Sequence, residues 1–323
     1  MARKIKWLIA HEPQHLFVRT AEAFSAKLNE LTGGEFVIEL ITESQYREQY
    51  NADYQNVGFP HYKQSMPDLI EDLRSGKLDM SQTQVHWFGS YDPNYRVFDM
   101  PFLFESHDHA TRVFEGPIGT AMSKRLANKA GVRGLAFTYS GGFRVFGSNE
   151  PITDLTKLAG QKVRVNGNPV NADYVTALGA TAMPGPWDSF GASTAFGPDS
   201  LDNGTLDAVE TTYIRFKGKH VLKSYHNMFL TTIIVSNQFW ESLDADTQEK
   251  FEQAALEASR LERKWSLDDA AQFEANCESN GVSIHEVSDA DRQTMRDAVA
   301  SVYEKWEPKF QPGLIEGIKK LAH

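Results

Sequence analysis

Two hydrophobic periodicities alternate along this chain. Ile5 to Ala10 is a short apolar run that predicts a buried strand. From Leu16 to Leu31, Phe17, Ala21, Phe24, Leu28 and Leu31 fall on one helical face, and Thr32-Gly33-Gly34 stops the helix because glycine accepts the left-handed cap conformation. Glu35 to Ile41 predicts the next strand. Residues 65–75 read as a helix ended by Gly76, Leu78 to Gln82 as a strand, and 108–130 as one helix ended by Gly131. The strand-like stretch Val132 to Tyr139 follows. Strand then helix, repeated, predicts an α/β fold with mostly parallel strands.

Gly141-Gly142 interrupts this order, and a second alternating unit begins with Phe143 to Phe146, Lys162 to Val165 and the helical stretch Asn171 to Leu178. Residues 184–204, rich in Gly, Pro, Ser and Asp, read as a loop insertion. Phe229 to Val235 is the most β-like segment, with Thr231, Thr232, Ile233, Ile234 and Val235 in succession. From Asp244 to about Asn280, Phe251, Ala254, Ala258, Leu261 and Trp265 keep helical spacing. At roughly 1.5 Å per residue that helix would be about 50 Å long, enough to bridge two domains.

The 323 residues suit two domains, and 20 Phe, 11 Tyr and 6 Trp can fill substantial cores. With 33 Lys plus Arg against 43 Asp plus Glu, the formal charge is −10, which argues against a nucleic-acid partner held by phosphate neutralisation. No apolar run approaches the roughly 20 residues needed to span a bilayer. The single cysteine, Cys277, allows neither an internal disulfide nor a cysteine zinc cage. The basic opening Met1 to Ala10 carries too short an apolar stretch for a secretory signal.

Most enzyme signatures fail. His11-Glu12-Pro13-Gln14-His15 spells a zinc-protease motif, but that motif needs both histidines on one helical face. Proline is tolerated only in a first helical turn, so His11 precedes the helix and the segment reads as a strand-to-helix turn. Neither a dinucleotide nor a P-loop glycine pattern occurs, and Gly191-Ala-Ser193-Thr-Ala195 misses the nucleophile elbow at its last position. His107, Asp108 and His109 read as an acidic helix start, not a metal site. No cofactor is expected. More informative are two arginines on predicted strands, Arg144 and Arg164, whose apolar neighbours carry them toward partly buried positions. A buried guanidinium must be paired, either by an internal acid or by the carboxylate of a ligand that its planar fork can clamp.

At these residues the sequence resembles the solute-binding proteins of TRAP transporters, the DctP type. The likeness covers nearly the whole chain. It runs through Glu30-Leu-Thr-Gly-Gly34, Leu73 to Met80, Met100-Pro-Phe-Leu-Phe104, Gly142-Phe-Arg144, Pro151-Ile152, Lys162-Val-Arg-Val165 with Asn168-Pro169, and Gly204 to Glu210. The resemblance implies a two-domain periplasmic-binding-protein-like fold with a hinged cleft and a long domain-spanning helix. One lobe would be 1–138 plus 226–267, the other 139–225 plus 268–323. It implies a carboxylate ligand bridged by Arg164, with Arg144 as second contact. Thr211 stands after Glu210 where the family pattern has Asn. Ala10-His11-Glu12 and Pro186-Trp187 resemble the ectoine-binding branch, in which the glutamate meets the ligand's donor groups and the tryptophan packs on its ring.

Two arginines with Trp87, Trp187 and Tyr213 suit a hydroxylated acid, whose hydroxyls Glu12 can accept. The expected ligand is a sugar acid, an aldonate or uronate, touching also Gln84 and Asn168. An ectoine-like zwitterion is the alternative within the family. An α/β enzyme using Glu12, His11 or Glu210, and a sensory module that signals its ligand state, are readings from other classes. The resemblance further implies that the chain is not an enzyme. It would be a periplasmic monomer with its signal removed, and its partners would be membrane permease subunits.

Overall fold

In the computed structural model, residues 2–10, 14–42, 45–46, 48, 69–185, 199–216 and 218–323 are described. They form two sheets. The first has the order β2-β1-β3-β10-β4, with β1 (Arg3–Ile9), β2 (Phe36–Ile41), β3 (Met80–Gln84), β4 (Val132–Phe143) and β10 (Met228–Ser236). In it β1 runs parallel to β2 and β3, and β10 runs antiparallel to β3 and β4. The second has the order β11-β9-β5-β8-β6-β7, with β5 (Val145–Ser148), β6 (Lys162–Val165), β7 (Thr181–Pro184), β8 (Ala208–Thr211), β9 (His220–Lys223) and β11 (Ser283–Glu286). The α/β architecture agrees with the pattern of alternating elements.

The first helix, α1 (Gln14–Thr32), turns Phe17, Ala21, Phe24 and Leu28 onto β1, where they meet Trp7 and Phe251 in one apolar cluster. Trp7 and Phe24 lie 5.2 Å apart between ring centroids. The single helix expected over 108–130 is instead two, α2 (His107–Glu115) and α3 (Pro117–Ala130). Pro117 supplies no amide hydrogen and its ring obstructs the carbonyl four residues back, so the first helix must end at Gly116 and a second must start. Strand β3 is shifted two residues from its expected start. In the second half, α4 (Pro169–Ala177) packs on β6 and β7.

Among the described residues the chain passes between the sheets at three places. β4 and β5 are separated by Arg144 alone, and β9 and β10 by residues 224–227. The long helix α5 (Ala245–Ala275) packs on α1 and β4 early in its length and buries Ala270 beside Val145, Tyr213 and Phe216 near its end. Asp244 caps its start by accepting from the Thr247 amide. The final helix, Leu314–Lys319, returns to α2, where the His109 ring reaches the Ile318 carbonyl at 2.8 Å. Among the described residues no helix is long and apolar enough to cross a membrane.

Candidate functional site

The site is built where the two crossing strands lie side by side. Gly141 and Gly142 take φ of 92° and 73°, conformations that side chains resist. A Cβ on Gly141 would stand 2.5 Å from Thr212 Oγ1, and one on Gly142 2.7 Å from His107 Cε1. The register of β4 against β10 slips between Phe229 and Leu230, opposite this kink. The Gly141 amide, released from the ladder, donates instead to Ser266 Oγ of α5 at 2.7 Å. The kink delivers Arg144 to the seam, where its amide donates to the Asn227 carbonyl of the returning strand at 2.7 Å.

The Arg144 side chain is buried and meets an internal acid. Its Nη1 donates to Glu210 Oε2 at 3.2 Å, and its guanidinium lies 4.1 Å from the centroid of the Phe229 ring. Glu210 Oε1 accepts from the Tyr174 hydroxyl and from Asn171 Nδ2, and His226 Nε2 lies 3.6 Å away. The His226 ring stacks on Phe146 at 4.4 Å, and its Nδ1 is paired with Ser224 Oγ. Burial pushes the Glu210 carboxyl up, but Arg144, His226 and Tyr174 outweigh it and hold the group at about 2. Glu210 is therefore a fixed anion, unsuited to act as a general base near neutrality.

Arg164 sits on β6 beside Val209, the neighbour of Glu210, and its Nε donates to the Gly185 carbonyl at 3.0 Å. Burial comes first in lowering its pKa to about 9, with Arg215 and Arg144 acting in the same direction and Glu210 against them. The same crowding is felt by the buried His86, which burial and then Arg144, Arg96 and Arg164 keep neutral against Glu210. Guanidiniums thus dominate the field of this region, and a positive field draws an anion.

Other expected residues distribute unevenly. Trp87 is nearly buried with its ring stacked on His86 at 5.0 Å, and Gln84 ends β3 opposite Thr231. Asn168 caps α4 through its Oδ1, which also takes Arg96 Nη1 at 3.1 Å. Thr211 is half-exposed at the end of β8. Tyr213 lies elsewhere, buried beneath α5 with Val145, Phe216 and Ala270, so its ring serves that small core. Glu12 and Trp187 lie outside the described residues, as do His11 and Pro13. Helix α1 begins at Gln14, which puts His15 in its first turn, 3.5 Å from Asp269. Arg96, His86, Asp99, Asn171, Tyr174 and His226, none of them singled out as a site residue by sequence reasoning, are gathered around the candidate site by the fold. Among the described residues no group of three or more His, Cys, Asp or Glu side chains could hold a metal.

A family model described as bacterial extracellular solute-binding protein, family 7, matches residues 63–309. The chain belongs to that family. Its members are the substrate-binding proteins of TRAP transporters, not enzymes, which closes the reading through Glu12, His11 and Glu210. A solute-binding protein of Roseobacter denitrificans is 28% identical over 307 residues, covering 91% of this chain and 86% of its own length. The structure of that Roseobacter protein, solved with bound L-galactonate, superposes with a TM-score of 0.75 at 25% identity over 98% of this chain and 99% of the other. The 2,3-diketo-L-gulonate-binding periplasmic protein of Escherichia coli is 26% identical over 297 residues, 90% of this chain and 81% of its own. A TRAP periplasmic solute-binding protein of Ochrobactrum anthropi, solved with its C-terminus in the ligand pocket, gives a TM-score of 0.82 at 25% identity over 99% of this chain and 95% of the other.

Proposed function

We propose that this member of the TRAP solute-binding family carries a sugar acid, an aldonate or uronate, to a membrane permease from the periplasm. The observation that carries the reading is the cationic seam around Arg144, Arg164 and Arg96, in which Glu210 is already committed to Arg144. Arg164 is the principal clamp for the ligand carboxylate, and Arg144, which also donates to Glu210, is the second contact. Glu12, Trp87 and Trp187 would meet the hydroxylated chain, with Gln84, Asn168 and Thr211 at its polar rim. The bound L-galactonate of the Roseobacter relative and the diketogulonate in the name of the Escherichia coli relative support this class.

The cleft would lie between lobes formed by 1–138 plus 226–267 and by 139–225 plus 268–323, a division supported by which strands join which sheet. The chain would act as a single copy. A thermal-shift screen tests the ligand class, since a solute that binds only the native state raises the melting temperature. Hexonates and hexuronates should shift it, with succinate and ectoine as comparison. A response to succinate or ectoine alone overturns the sugar-acid reading.

A further inference from the structure

We propose that capture of the anionic solute is proton-linked, and that the proton taken up goes to Asp99. The inference rests on the carboxylate site proposed above and adds its regulation. Asp99 ends the 3-10 segment Pro93–Asp99 and is 7% exposed. Its backbone carbonyl is committed, accepting from Asn227 Nδ2 at 2.7 Å, which ties it to the returning hinge strand. Its Oδ2 is buried and makes no hydrogen bond among the described residues, while the Asn168 side-chain amide lends the carboxyl partial support. A buried carboxylate oxygen without a donor is costly, and a proton on the carboxyl removes much of that cost.

The charges around Asp99 come from several elements. Arg96 lies on its own segment. Arg144 comes from the β4–β5 crossing and Glu210 from β8, and the Asn168 amide lies before α4. Tyr174 of α4 feels the Asp99 charge in turn. His86 and His226 lie in the field of the same Arg144 and Glu210. Burial comes first in raising the Asp99 carboxyl, to about 7, with Arg144 and Arg96 pulling it down and Glu210 pushing with burial. The group is thus balanced close to neutrality by guanidiniums that the solute would share.

A carboxylate arriving at Arg164 and Arg144 adds a negative charge and draws on the field that favours ionised Asp99. Both effects raise the affinity of Asp99 for its proton, so the complex holds more protons than the free protein. Linkage then makes affinity fall as pH rises through neutrality. If the solute raises the Asp99 pKa by one unit, from about 7 to about 8, binding at pH 7.5 takes up about half a proton, and affinity weakens about sixfold from pH 6.5 to 8.5. His86 and His226, both held neutral by burial, would respond in the same direction, so a variant must separate them from Asp99.

Isothermal calorimetry with L-galactonate at pH 7.5, in phosphate and in Tris, reads the proton directly, because the two buffers release protons with different heats. Wild type should show uptake near half a proton, and Asp99→Asn much less, with an affinity that varies correspondingly less with pH. No uptake in wild type, or equal uptake in Asp99→Asn, overturns the proposal. An infrared titration of the ligand-free protein in D2O gives a second reading. A carboxyl band lost in Asp99→Asn should titrate near neutrality, and a midpoint below pH 5 overturns the proposal by itself. If L-galactonate and other hexonates produce no heat, the sugar-acid reading fails, and the infrared midpoint still decides whether Asp99 is poised as argued.

Discussion

Arg144 donates to Glu210 across 3.2 Å, with the two side chains 3% and 0% exposed. The pair sits where β4 hands the chain to β5, so it joins the crossing strand to the second sheet. Removing one member would strand the other charge in the interior. Arg144→Ala is expected to cost about 3–5 kcal/mol in urea unfolding, and a double replacement by apolar residues of similar volume should recover much of it. The pair also has a pH signature. Glu210 is held at about 2, below its unfolded value, so its contribution is complete above about pH 4.5 and is lost as pH falls toward 2. Glu210→Gln should flatten that acid limb, and an unchanged limb would remove the pair from the account.

Arg164 carries the proposed charge recognition, so its substitutions should be felt in affinity. A hydrogen bond to a charged group contributes roughly 1.5–3 kcal/mol. Arg164→Ala should therefore weaken binding of the responding sugar acid at least about 10-fold, and Arg164→Lys should not restore it, because an ammonium lacks the planar fork. Wild-type affinity in Arg164→Lys, measured by calorimetry, would sink the bidentate clamp.

Glu262 is fully buried on α5, where its Oε2 accepts from the Tyr139 amide at 2.8 Å. Burial raises its pKa well above the usual carboxylate range, against the smaller pull of Tyr139, Arg263 and Gln82. A raised folded pKa means that this group favours folding below about pH 4.5 and opposes it increasingly above. Glu262→Gln should match wild type in melting temperature near pH 4 and exceed it by a margin that widens as pH rises above about 4.5. A constant difference across pH would show that Glu262 is ionised in the folded protein.

Closure follows if ligand groups lie on both lobes, because only a closed form lets them touch one solute together. Small-angle scattering should show a smaller radius of gyration with saturating sugar acid, and no change for Arg164→Ala at the same concentration. An unaltered wild-type curve with bound ligand would rule out the hinged cleft.

Rigid backbone at the crossing should also matter. Gly142→Ala places a methyl 2.7 Å from His107 Cε1 at a φ of 73°, so it should lower the melting temperature more than Gly160→Ala, where φ is 78° and no atom lies within 4 Å. Equal losses would mean that left-handed strain alone, not the His107 contact, sets the cost.

Much of the fold was legible because its signals are local. The run from Thr231 to Val235 reads as a strand whatever it pairs with, and it lies within β10. Lys162-Val-Arg-Val165 forms β6 as expected, and Gly33, Gly76 and Gly131 take the positive φ that helix ends require. The break at Gly116-Pro117 was equally local but was overridden by the helical period on either side. Less of the site was legible. Arg144 showed only that it needed an anion, since an internal acid 66 residues away and a ligand carboxylate satisfy the same guanidinium. Tyr213 shows the same ambiguity. An aromatic ring with a hydroxyl suits both a cleft and a core, and the choice depends on where the end of α5 comes to rest.

The order of strands and helices, the family motifs and the need to neutralise two strand-borne guanidiniums were determined by the sequence itself, because they depend on neighbouring residues and on charge. Which acid meets which arginine was decided only in three dimensions. Arg144, Glu210, Tyr174 and His226 stand far apart along the chain, and β4, α4, β8 and the turn before β10 must all be placed before their side chains can meet. The balance on Asp99 belongs to the same class. Burial and the opposing charges act through space, and no spacing along the chain encodes the distance over which they act.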